Sequence, residues 1–131
     1  MIHTRRSIRP ISVLLGALLL LPAQLPAQAT TEAMLEVLVR APGWRAEWSG
    51  PGGSGITDVV FERTAAGITA KIHLITPFDM TCENPVTVAP GRITFDGCRD
   101  PAVSLTYDPS NPDLPFQGGS PRGYAWKLRP K

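Results

Sequence analysis

Ile68-Thr69-Ala70-Lys71-Ile72-His73-Leu74 decides the fold class. Its apolar residues recur at every second position, and the residues between them are polar or small. Side chains on a strand point alternately to opposite faces, so this pattern describes a strand with one face buried and one wet. Working outward, the same period of two returns in five other segments. Trp44, Ala46 and Trp48 alternate with Arg45 and Glu47, and Val59 and Phe61 with Asp58, Val60 and Glu62. Ile93 and Phe95 follow the rule, as do Val103, Leu105 and Tyr107, and then Tyr124, Trp126 and Leu128. Val86-Thr87-Val88 adds a short seventh candidate. Half-wet strands of this kind belong to antiparallel sheets.

The punctuation between them is that of hairpins. Ala65-Ala66-Gly67 separates the second strand from the third, and Ala89-Pro90-Gly91 precedes Arg92–Asp96. Glycine and proline supply the backbone angles such turns require. Ser49–Gly55, rich in glycine, reads as a flexible connection. Before the first strand, Met34, Leu35, Leu38 and Val39 form one apolar stripe at helical spacing. Thr31 suits an N-cap, Glu32 and Glu36 the first turns, Arg40 the last, and Pro42-Gly43 ends the segment. A helix this short needs a surface to pack on. The expected fold is mainly β: a small antiparallel β-sandwich or partly closed β-barrel of 6–7 strands with one short N-terminal helix.

The first 29 residues read differently. Arg5, Arg6 and Arg9 precede an apolar run from Ile11 to Leu21, and Ala27-Gln28-Ala29 supplies small residues for cleavage. This is the pattern of an export signal, its apolar run too short to cross a bilayer. Thr4-Arg5-Arg6-Ser7-Ile8 shares part of a twin-arginine signal, although Arg9-Pro10 departs from it. Residues 30–131 are then one small domain, periplasmic or secreted. Removing the three arginines turns the whole-chain net charge of +2 slightly negative, which excludes a basic nucleic-acid footprint. No later apolar run reaches the roughly 18 residues of a membrane span.

Cys82 and Cys98 remain after cleavage, and an exported chain meets an oxidising compartment. They have one possible intramolecular pairing, whose loop closure should stabilise the fold by about 3 kcal/mol. Both open a Cys-x-x-Pro frame, at Pro85 and Pro101, as two loops stapled together would. No third and fourth ligand stand at metal-site spacing, so no metal and no cofactor is expected.

Candidate chemistry is sparse. His73, the one histidine of residues 30–131, lies on the polar face of its strand, and no Gly-x-Ser-x-Gly elbow accompanies it. The disulfide would gather Asp79, Glu83, Asp96 and Asp100, which could serve as acid and base or bind calcium, but Arg92 and Arg99 lie in the same region. Trp44, Trp48, Tyr124 and Trp126 could form a sugar platform, yet their phase suits a core. Trp48-Ser49-Gly50 followed by a hairpin around Gly67 resembles the opening of avidin-like and lipocalin-like barrels. Their Gly-x-Trp element is absent, because Gly43 directly precedes Trp44, and the resemblance assigns no ligand.

Asp108–Gly123 carries four prolines and reads as a long irregular loop, a common carrier of recognition. The expected binding residues are Phe116 as its apolar contact and Arg122 as its polar one, with covering one end of the sheet as the competing role. These features favour a non-enzymatic binding or inhibitor module acting on an unknown protein or small ligand. A carboxylate-dependent hydrolase and an envelope structural or assembly component are the alternatives.

Overall fold

The computed structural model describes residues 25–131. The export signal expected over residues 1–29 lies mostly outside them. Helix α1 (Leu25–Arg40) is followed by β1 (Trp44–Gly50), β2 (Gly53–Thr64), β3 (Gly67–Thr76) and β4 (Met80–Ala89). Then come β5 (Arg92–Phe95), β6 (Val103–Tyr107), β7 (Phe116–Gly119) and β8 (Ala125–Pro130). Every strand pairs antiparallel with its successor, and β8 returns to β1. The result is a closed barrel of eight strands in sequence order. The sheet thus exceeds the expected six or seven strands, and it closes fully instead of forming a sandwich.

Two segments account for the difference. β7 is Phe-Gln-Gly-Gly after Pro115, with no alternation to betray it. It is a strand because its partners β6 and β8 bracket it, and a side chain at Gly118 would collide with the Ser104 carbonyl. Met80–Pro85 joins Val86–Val88 in one long β4, although Asn84-Pro85 reads as a break. β3 pairs with Met80–Val86, whereas β5 pairs only with Thr87–Ala89. Along its first half β4 therefore has an edge without a strand partner, where proline is tolerated. The Cys82–Cys98 disulfide spans that gap, with Cα atoms 6.0 Å apart. Asn84 Nδ2 donates across it to the Asp96 carbonyl at 2.9 Å. Cys82 is thus a strand residue, and only Cys98 belongs to a loop.

Inside the barrel the alternating residues meet. Ala46, Val59, Ile93, Val103, Leu105, Phe116 and Leu128 are fully buried, with Trp44, Phe61, Ile72 and Trp126 nearly so. Burial of a side chain of this size contributes roughly 1.5–3 kcal/mol. Met34, Leu35 and Leu38 of α1 enter the same core. The Trp44 indole N–H donates to the Leu38 carbonyl at 2.9 Å, satisfying a helix-end acceptor and fixing α1 where β1 begins. Arg63 near the end of β2 reaches Glu32 and Glu36, both at 3.5 Å. The helix starts earlier than the sequence pattern indicates, at Leu25, so the expected cleavage point after Ala29 falls within it. Since strands alternate in direction, α1 and the 107–116 loop occupy one end. The loops 50–53, 76–80, 95–103 and 119–125 surround the other.

Candidate functional site

At the end away from α1 the barrel opens into a cleft of about 420 Å³, a volume within the usual range of small-ligand sites. Its wall begins with a row of register partners. Trp48 of β1 pairs with Gly55 of β2 on one side and with Trp126 of β8 on the other. A Cβ at Gly55 would strike the Trp48 ring, so glycine there gives the indole its place. The Trp48 and Trp126 rings stack with centroids 6.5 Å apart, and Tyr124 meets Trp48 edge-on at 5.7 Å. The Trp48 indole donates to Thr57 Oγ1 at 3.0 Å. Tyr124 Oη accepts from the Gly52 amide at 3.1 Å, tying the turn between β1 and β2 to the β7–β8 connection.

The loop between β5 and β6 lines the cleft against this wall. Cys98 and Ala102 both adopt positive φ, 76° and 58°, an uncommon conformation for side-chain-bearing residues. The Asp96 carboxylate accepts from the Cys98 amide at 2.9 Å, and the Gly97 amide donates to the Asp100 carbonyl at 2.9 Å. Together with the disulfide these contacts hold Arg99 and Asp100 at the cleft. Asp100 is only 7% exposed. Its Oδ2 accepts from the Trp126 indole at 2.8 Å, while the buried Oδ1 has no hydrogen-bond partner among the described residues. A buried carboxylate oxygen left without a donor carries a substantial desolvation cost.

Two guanidinium groups complete the mouth. Arg99 lies over the Phe78 ring, 4.0 Å from its centroid, within the range of cation–π attraction. Arg122 donates to the Arg99 carbonyl at 2.8 Å. Neither arginine has a carboxylate partner among the described residues. Phe78, exposed in the β3–β4 connection, makes an apolar lip to the cleft with Pro77. No family model, curated protein or solved structure matches this chain.

The structure separates the two residues expected to bind together. Arg122 stands at the mouth, lining the cleft. Phe116 is fully buried at the other end of the barrel, packed edge-on against Trp44 at 5.5 Å. It is a core residue and offers no surface contact, because the supposed loop contains strand β7 and Phe116 opens it on the inward face. Residues 108–115 remain loop, at the α1 end, so the stretch from 108 to 123 touches both ends of the molecule.

The carboxylates do not assemble either. Asp79 pairs with His73 at 2.9 Å on the outer surface. Glu83 lies 3.7 Å from Lys71. The Lys71 ammonium is held above its ordinary pKa, first by its hydrogen bond to Glu62 and then by the charges of Glu62 and Glu83. Asp96 serves the Cys98 turn. Among the described residues no group of three or more histidine, cysteine or acidic side chains could hold a metal ion. The missed feature is Phe78. Arg99 and Asp100 were legible as neighbours of Cys98, but the β3–β4 lip gave no periodic signal.

Proposed function

We propose that this protein is an exported, non-enzymatic binding module that takes a small ligand into the open mouth of its barrel. The single observation carrying this reading is the cleft itself: aromatic rings, two guanidinium groups without a carboxylate partner among the described residues and the buried Asp100 line one concavity. Convergence of a few polar groups on an apolar hollow is the ordinary form of a small-molecule site. The disulfide suggests an oxidising compartment, in keeping with a periplasmic or secreted protein. The carboxylate-dependent hydrolase is less well supported, because acid–base work on a substrate commonly uses two carboxylates and, among the described residues, Asp100 is the one carboxylate lining the cleft.

Amide chemical-shift mapping with a library of small fragments tests the reading on the mature chain. Binding fragments should move the amides of Gly52, Gly97, Arg99 and Tyr124 and leave those of Asp108 and Lys131 in place. Fragments that instead cluster at the α1 end, or Asp100-dependent turnover of ester or glycoside substrates, would contradict it.

A further inference from the structure

We infer that the mouth cleft selects a hydroxylated six-membered ring bearing a carboxylate, an inference that rests on the mouth being the binding site. Each part of that description answers a feature of the cleft. The ring answers the aromatic surface, because Phe78, Tyr124 and Trp48 line one opening, with Trp48 backed by the buried Trp126. Such surfaces favour another flat or ring-shaped partner over a flexible chain.

The carboxylate answers the guanidinium groups. Arg99 and Arg122 stand on the same side of the opening, joined through the Arg99 carbonyl. Among the described residues the only acidic side chain lining the cleft is Asp100, and its Oδ2 is committed to the Trp126 indole. Two positive charges therefore face one buried negative charge, and the rim of the cleft has a cationic excess. Arginine is suited to gripping a carboxylate, since its planar donors match the two oxygens.

The hydroxyl answers Asp100 Oδ1. This oxygen is buried and lacks a donor, although Asp100 is more than nine-tenths buried as a residue. A ligand hydroxyl would satisfy it once the carboxylate turns toward the cleft that Asp100 lines, and a plain inorganic anion would be repelled from the same place. The cleft thus separates its charges: cationic rim, anionic floor. A ligand that is negative at one end and a hydrogen-bond donor at the other fits that order.

Two sources share this chemistry, sugar acids and hydroxylated aromatic acids. Titrations of the mature protein with glucuronate and with 4-hydroxybenzoate, each against its neutral counterpart (glucose and 4-hydroxybenzamide), distinguish them. Binding is followed by the indole N–H resonances of Trp48 and Trp126, with that of Trp44 at the other end as an internal control. At least one acid should bind about tenfold or more tightly than its neutral counterpart. Arg122→Gln and Arg99→Gln should each reduce that preference, with Trp44 unmoved and the melting temperature near that of the parent protein. Should Arg99→Gln fail to fold, Arg122→Gln together with the neutral counterparts carries the test alone. Equal affinity for acid and neutral ligand at the mouth overturns the charge assignment while leaving the mouth as the binding site. No binding by either acid at ~10 mM overturns the ligand class, and fragment mapping then decides separately whether the mouth binds anything. Acid binding that moves Trp44 instead overturns both.

Discussion

Trp126 and Asp100 hold one another at the boundary between core and cleft. Trp126 fills the barrel with its ring and spends its only polar atom on Asp100. Trp126→Ala should therefore lower the unfolding free energy by ~3–5 kcal/mol, read from urea denaturation. A loss below about 1 kcal/mol would place the ring outside the core. Asp108, in the loop at the α1 end, gives a pH-dependent case. Its carboxylate accepts from the Ser110 hydroxyl at 2.6 Å and from the Ser110 amide at 3.0 Å. Those bonds, the hydroxyl first, depress its pKa below the ordinary value. The folded chain then binds fewer protons than the unfolded one, so the contribution is present above the unfolded pKa and is lost as pH falls through the folded one. Ser110→Ala should lower the melting temperature slightly at neutral pH, where the contribution is present, and converge with the parent protein as pH falls below about 4, so that the acid fall is flatter. An unaltered acid slope would mean that the bonds do not persist in solution. At this scale Trp44 and Trp126 were legible as core from their phase with neighbouring apolar residues. Phe116 was not, because prolines and glycines around it hide the strand it starts.

The elements divide into those written in local pattern and those imposed by partners. β3 needs no context, since its alternation is complete from Ile68 to Leu74 and its inward residues are all buried. β7 has no such pattern and exists through the register of β6 and β8. β4 is intermediate, with half of one edge closed by a disulfide in place of a strand. Cys82→Ser should consequently cost ~2–4 kcal/mol, and thiol titration of the native protein should find none reactive. Two reactive thiols would remove the staple from the account. The same substitution should loosen the Cys98–Ala102 loop and weaken binding at the mouth. For α1, the buried Leu38 argues that the helix is a structural lid on the core. Leu38→Ala should destabilise by ~2–5 kcal/mol; a neutral effect on urea denaturation would show a helix that merely rests on the surface.

For the whole molecule, alternation announces an antiparallel sheet, but closure depends on pairing between the first and last strands. No local signal encodes that pairing, because it is a matter of strand count, tilt and stagger together. In the structure the seam matches Ala46 with Leu128 and Trp48 with Trp126. Closure creates the mouth, since Trp48 and Trp126 face the cleft from the two strands of this seam. With α1 over one end, the other is left for a ligand. The function proposed here stands on that geometry, and amide hydrogen exchange of the native protein tests it most directly. In a closed barrel, the hydrogen-bonded amides along the β1–β8 seam should be protected to the level of those between β2 and β3. Seam amides that exchange as fast as those of the turns would show an open sheet, and the mouth with its aromatic wall would not exist.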